Sequence, residues 1–187
     1  LKYGGFTHTI PLNYLWGMDL SASLTSAHPG FSLKVQDIVN KSKSYGIGFT
    51  LHQIRQRDED LSFRFSYEGR DVESKILKTF PLATDHIRML RASANYQKQD
   101  SFGGYNLGDV TLSQGLSLFG SSEAGDSNLS RSQAKPDRKK LEMSYSRIQS
   151  LPYDLSAVTA FSGQIASGPL YASEEFGFGG QNMGRAY

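Results

Sequence analysis

The sequence predicts an all-β protein of antiparallel, up-and-down strands, and three observations carry this prediction. Apolar and polar residues alternate with period two through most of the 187 residues, which is the pattern of a strand with one apolar and one polar face. No segment of comparable length has the periodicity and caps of an amphipathic helix. The predicted strands approach the length of about ten residues that crosses an outer membrane at a tilt, which favours a transmembrane β-barrel.

Four strands are predicted in the first half of the chain, at 5–12, 16–27, 45–54 and 61–72. The first places Phe, His, Ile and Leu at alternate positions, and the second alternates Trp, Met, Leu, Ala and Leu with Gly, Asp, Ser, Ser and Thr. The third alternates Tyr, Ile, Phe and Leu with Gly, Gly, Thr and His. The fourth is the clearest, because Leu, Phe, Phe and Tyr alternate with Ser, Arg, Ser and Glu.

Four more strands are predicted at 87–97, 109–119, 141–148 and 155–166. Leu, Ala, Ala and Tyr share one face of the fifth strand, and Val and three Leu residues share one face of the sixth. The seventh presents Leu, Met and Tyr, whereas the eighth alternates poorly.

The predicted connections alternate between short and long. Short ones fall at 13–15, 55–60, 98–108 and 149–154, and long ones at 28–44, 73–86 and 120–140. Short turns on the periplasmic side and long polar loops on the other are typical of an up-and-down outer-membrane barrel. A soluble β-sandwich is the alternative, but its strands are usually shorter and its Greek-key connections would mix the two loop classes.

Composition and motifs exclude several other classes. The chain has 38% hydrophobic residues and a formal charge of +2, so no nucleic-acid-binding tail is indicated, and it has no cysteine for a disulfide or thiolate metal site. No stretch approaches about 18 consecutive apolar residues. The four histidines lack metal-ligand spacing, and no Gly-x-Ser-x-Gly elbow is present, so neither a metal, a cofactor nor a catalytic group is predicted.

The last residues, 173–187, form a glycine-rich aromatic segment that reads Ser-Glu-Glu-Phe-Gly-Phe-Gly-Gly-Gln-Asn-Met-Gly-Arg-Ala-Tyr. A phosphate-binding loop would need a lysine and a helix after the glycines, and neither follows. The segment resembles the conserved loop of the ShlB/FhaC/HecB haemolysin secretion and activation family, which reads approximately Ser-Glu-x-Phe-x-Leu-Gly-Gly-x-x-x-x-Arg-Gly-Tyr/Phe. Stretches at 9–12, 109–120 and 161–164 are also similar to this family. Gly184 and Ala186 depart from its usual residues.

This resemblance implies a part of a sixteen-stranded outer-membrane barrel, with the chain supplying the fourth to eleventh strands. Residues 167–187 would begin a loop that folds back into the lumen, and the periplasmic polypeptide-binding (POTRA) domains and the C-terminal strands would lie outside the 187 residues. The implied function is two-partner secretion of a large exoprotein by a monomeric barrel in contact with outer-membrane lipid. The alternatives are a related barrel-assembly factor, a soluble β-sandwich binding module and a barrel enzyme.

Two sets of functional residues are predicted. The loop motif comprises Phe176, Gly179, Gly180, Arg185 and Tyr187. Its glycines permit tight turns, and the planar fork of Arg185 suits a bidentate pair with a carboxylate, which the resemblance places on a later strand. The adjacent Glu174 and Glu175 point opposite ways in an extended chain and make a poor acid/base pair. The residues expected to line a polar lumen are Arg64, Glu68, Arg70, Arg91, Asn95, Gln97 and Glu142.

Overall fold

The computed structural model describes residues 1–28, 37–77 and 79–177 as one antiparallel sheet of eight strands, paired in chain order. The strands are Lys2–Pro11 (β1), Trp16–Ala27 (β2), Val39–Arg55 (β3), Glu59–Ile76 (β4), Phe80–Gln99 (β5), Gly104–Gly115 (β6), Lys139–Ser150 (β7) and Ser156–Ala166 (β8). The predicted all-β, up-and-down fold class is therefore confirmed. No helix among the described residues is long and apolar enough to cross a membrane.

The register separates an apolar face from a polar face of the sheet. Large apolar side chains on the apolar face are exposed, among them Leu24, Phe65 and Leu112, each more than half accessible. A β-sandwich buries such a face against a second sheet, and the described residues form a single sheet. An exposed apolar band on one face of a sheet of up-and-down strands is consistent with part of a transmembrane barrel.

The strands β3, β4 and β5 are longer than predicted, at 17, 18 and 20 residues. The predicted long connection at 73–86 is therefore wrong, because β4 ends at Ile76 and β5 begins at Phe80. The two strands stay paired through the charged residues near their ends. Charged side chains indicate exposure to water, but they do not interrupt the backbone hydrogen bonds between strands. Pro81 lies opposite Lys75, where the register shifts, and such an irregularity is where a strand tolerates proline.

The connection before β6 is also shorter than predicted, since β6 starts at Gly104 and not at 109. Asp100 Oδ1 accepts hydrogen bonds from the amides of Phe102 and Gly104 at 3.0 and 2.9 Å, and Gly103 adopts a φ of +74°. These contacts close a tight turn. At the other end of this strand, β6 stops at Gly115, four residues before the predicted 119. The bounds of β1, β2, β7 and β8 differ from the prediction by three residues or fewer.

The buried core lies on the polar face, at the end of the sheet where β6 leads into β7. Its members are Ile87, Met89, Ala134 and Tyr171, with Leu129 packed against them. They come from β5, from the 116–138 connection and from the segment after β8. Backbone hydrogen bonds such as Leu116 N to Arg88 O, 2.8 Å, hold the 116–138 connection along the edge of β5 beyond its pairing with β6.

Candidate functional site: the charged cluster around Glu174

The segment after β8 returns over the polar face. Leu170 and Tyr171 are buried there, and a short 3-10 turn covers Ala172–Glu174. The Tyr171 hydroxyl donates a hydrogen bond to Ser122 O at 3.0 Å. Burial, followed by the charge of Asp85, raises the pKa of Tyr171 to about 12, so the phenol is neutral at physiological pH.

Glu174 ends this turn with a side chain that is only 3% exposed, in contact with cations from three strands. Lys140 Nζ of β7 lies 2.8 Å from Glu174 Oε2, and an Arg91 guanidinium nitrogen of β5 lies 3.1 Å from the same oxygen. A guanidinium nitrogen of Arg70, on β4, lies 3.5 Å from Oε1. Lys140 Nζ also donates to the backbone oxygen of Glu174 at 3.3 Å. The sheet therefore surrounds one carboxylate of the returning segment with positive charge.

Two further carboxylates complete what we call the Glu174 cluster, namely Glu68, Arg70, Arg91, Lys140, Glu142 and Glu174. Glu142 lies 3.1 Å from Lys140 Nζ, and Glu68 Oε2 lies 3.0 Å from Arg91 Nε, an ion pair without hydrogen-bond geometry. Three cations thus face three carboxylates, and the formal charges of these six side chains sum to zero.

The ionisation of Glu174 follows from a competition between burial and these charges. Burial alone raises the pKa of its carboxyl, but Arg91, Lys140 and Arg70 together outweigh burial and hold the pKa below its ordinary value. Glu174 is therefore charged at neutral pH, as the three cations require.

One row of the sheet explains how the long charged side chains fit. Consecutive cross-strand partners in this row, from β1 to β8, are Thr9, Asp19, Gly48, Ser66, Arg91, Ser113, Lys140 and Ala166. The charged members Asp19, Arg91 and Lys140 are separated by small residues. Ser66 and Ser113 are buried, so neighbouring side chains lie over them. The register therefore makes room for a band of ion pairs across the face.

Another ion pair on this face joins β2 and β4, which are separated by β3. Arg64 on β4 donates from Nε and a terminal nitrogen to the two carboxylate oxygens of Asp19 on β2, at 3.2 and 2.6 Å. The guanidinium passes over Gly48 on β3, where an added Cβ would overlap it. Glycine at this position leaves space for the bidentate pair in its present geometry.

Gly48→Ala is expected to lower the free energy of unfolding by about 1–2 kcal/mol, because the new methyl displaces Arg64 from Asp19. The matched control is Gly17→Ala, since a Cβ at Gly17 meets only Ile10 O at 4.0 Å. Urea unfolding in detergent, followed by the fluorescence of Trp16, the single tryptophan of the 187 residues, measures both variants. Equal effects of the two substitutions would contradict the role of Gly48.

The structure places the predicted polar residues on the polar face. Arg64 belongs to the pair with Asp19, and Glu68, Arg70, Arg91 and Glu142 belong to the Glu174 cluster. Asn95, opposite Ser62 and Asp109, and Gln97, whose Oε1 accepts from the Tyr105 hydroxyl at 2.9 Å, lie nearer the short-turn end.

The predicted loop motif is described only at its start. Phe176 is 40% exposed and lies just beyond the cluster, and Gly179, Gly180, Arg185 and Tyr187 lie outside the described residues. The adjacent glutamates do separate, since Glu174 enters the cluster and Glu175 pairs with Arg131 of the 116–138 connection.

Sequence reasoning missed Asp19, Lys140, Tyr171 and Glu174 as site residues. Lys140 is absent from the predicted set because the predicted seventh strand begins at 141, and Lys140 then falls in the preceding loop. Glu174 stands in the Ser-Glu pair of the loop motif, a signal that was present but was assigned no partner. Among the described residues, no group of three or more His, Cys, Asp or Glu could hold a metal ion. The Glu174 cluster is suited to holding a chain segment against the sheet by ion pairs.

A family model described as haemolysin secretion/activation protein ShlB/FhaC/HecB matches residues 5–185. A search of curated proteins and a search of solved structures returned no significant match. The match spans nearly the whole chain, including all eight strands after the first residues of β1 and the segment that contributes Glu174. The chain therefore belongs to the ShlB/FhaC/HecB family of haemolysin secretion/activation proteins.

Proposed function

We propose that the protein is an outer-membrane transporter that moves a large exoprotein, such as a haemolysin or an adhesin, from the periplasm to the cell surface by two-partner secretion. The observation that carries this proposal is the family match over residues 5–185. The eight-stranded up-and-down sheet with an exposed apolar face supports it, because that is the form of an outer-membrane barrel wall.

In this proposal the apolar face contacts lipid and the polar face lines the lumen of a monomeric barrel. The residues that then face the passing chain are Arg64, Glu68, Arg70, Arg91, Asn95 and Glu142. Charges of both signs, paired as the ion pairs of the polar face are, let an unfolded polypeptide slide past without binding tightly at one point. The step requires no nucleotide, metal or catalytic residue.

Residues 167–187 begin the loop that enters the lumen, with Arg185 as the anchor to a carboxylate on a later strand. Capture of the unfolded exoprotein by periplasmic POTRA domains precedes rearrangement of this loop. Passage through the lumen follows, and folding of the exoprotein outside the cell biases the movement outward.

The direct test compares cells that carry the whole protein and its exoprotein with cells that lack the transporter. We expect the exoprotein in the medium or on the surface in the first case and in the periplasm in the second. Equal surface exoprotein in both strains would contradict transport. A general loss of other outer-membrane proteins would indicate a barrel-assembly factor instead, and folding in buffer without detergent would indicate a soluble sandwich.

A further inference from the structure

Glu174 is the one side chain of the returning segment that, among the described residues, contacts three different strands of the polar face. We propose that Glu174 is a positioning residue, which docks the segment after β8 on the wall formed by β4, β5 and β7 and so fixes where the Arg185 loop leaves that wall. This inference rests on the proposed function and adds to it a second anchor, independent of Arg185.

The first argument is the energetic cost of the arrangement. Removing a carboxylate from water is strongly unfavourable unless the group is paired and hydrogen-bonded. The side chains of Glu174 and Lys140 are both only 3% exposed. Arg91 and Arg70 supply two further contacts to the same carboxylate. A site of three cations that receives one buried carboxylate is built to hold that group.

The second argument is the charge that remains without Glu174. The cluster would then contain Arg70, Arg91 and Lys140 against only Glu68 and Glu142, which leaves one unbalanced positive charge on the polar face. A water-filled lumen can hydrate that charge, so undocking is possible. Docking by charge is therefore both specific and reversible. A segment that must move aside for a passing polypeptide needs both properties.

The third argument is geometry along the chain. Arg185 follows Glu174 by eleven residues, a length that can span up to roughly 40 Å when extended. Fixing one end of a chain segment lowers the entropic cost of placing its other end. Docking at Glu174, with Tyr171 buried beside it, fixes the start of the tether.

The test uses a buried position that the docked segment covers. Ala134 is fully buried in the core that contains Tyr171, and the 187 residues have no cysteine, so Ala134→Cys supplies their only thiol. In the whole protein, we expect this thiol to react slowly with a membrane-impermeant maleimide. Glu174→Gln keeps the shape but removes the charge, and we expect it to raise the labelling rate by about tenfold, which corresponds to about 1.4 kcal/mol.

Two matched controls accompany this measurement. Ser144 lies exposed on the same polar face, and Ser144→Cys is expected to react at the same rate whether or not Glu174→Gln is also present. Glu175→Gln removes the neighbouring, exposed carboxylate and is expected to leave the thiol of Ala134→Cys protected.

The readouts separate this inference from the proposed function. Glu174→Gln is expected to reduce secretion several-fold while the barrel assembles. If the thiol of Ala134→Cys stays equally protected in Glu174→Gln, the docking role of Glu174 is overturned, but the proposed transport function is not. If the parent protein secretes nothing, the proposed function fails, while the labelling rates still decide whether Glu174 docks the segment.

Discussion

Arg185→Ala in the whole protein is expected to lower secretion of the exoprotein by about tenfold or more, while the barrel still assembles in the outer membrane. A bidentate pair between a guanidinium and a carboxylate is among the strongest polar contacts in proteins, and a charged hydrogen bond contributes about 1.5–3 kcal/mol. Since about 1.4 kcal/mol is a factor of ten in an equilibrium, loss of this anchor would leave most loops unanchored. Exoprotein in the medium and heat-modifiable barrel in the membrane are the two quantities to measure.

Two variants control for this result. Arg185→Lys keeps the charge but loses the planar guanidinium fork, so this variant is expected to retain only part of the parent's secretion. Arg131→Ala removes an arginine whose pair with Glu175 is exposed, and such pairs contribute little, so secretion is expected to stay near the parent level. Normal secretion by Arg185→Ala would contradict the anchor role.

Lys140→Met is expected to have the largest effect on stability, a loss of about 3 kcal/mol in the free energy of unfolding. Lys140 is almost fully buried and contacts two carboxylates, Glu174 at 2.8 Å and Glu142 at 3.1 Å. Removing one partner of a buried pair leaves the other charge poorly compensated, which costs about 3–5 kcal/mol. Arg91 and Arg70 retain part of the compensation, which places the expected loss at the lower end.

A double-mutant cycle distinguishes a coupled pair from two independent contributions. Lys140→Met with Glu174→Gln removes both charges, and we expect the pair of substitutions to destabilise less than the sum of the single ones. Urea unfolding in detergent gives the three values. Strict additivity would show that the two side chains do not depend on each other.

The same cluster gives a pH dependence with a definite sign. The three cations lower the pKa of Glu174 in the folded protein, so its contribution to stability is present above the carboxyl's unfolded pKa and is lost as pH falls through the lower folded value. The stability difference between the parent and Glu174→Gln is therefore expected to be largest near neutral pH and to shrink in acid. A difference that grows in acid would contradict this assignment.

Much of the fold followed from local pattern, because a strand with one apolar face and one polar face must alternate with period two. The strands β2, β7 and β8 were located within three residues in this way. The pattern did not locate the β4–β5 hairpin, because Glu73, Lys75 and Pro81 are residues typical of a loop. Their strand conformation depends on neighbouring strands that satisfy the backbone hydrogen bonds, and a single segment does not reveal its neighbours.

The candidate site divides in the same way. Side chains alternate between the two faces along each strand, and this alternation predicted that Arg64, Glu68, Arg70, Arg91 and Glu142 share a face. The alternation could not predict which of these side chains form ion pairs, since the partner of a residue depends on the register between strands. The pair of Asp19 with Arg64, which lie 45 positions apart, exists because the register brings Gly48 between them.

The sequence by itself determined the fold class, the two faces of the strands and the family, because periodicity and the terminal motif are properties of neighbouring residues in the chain. Only the tertiary structure decided that Glu174 is buried and that Lys140, Arg91 and Arg70 surround it. The physical reason is that a buried carboxylate is stable only where several distant cations converge, and that convergence is set by the register of β4 to β7 and by the path of the segment after β8.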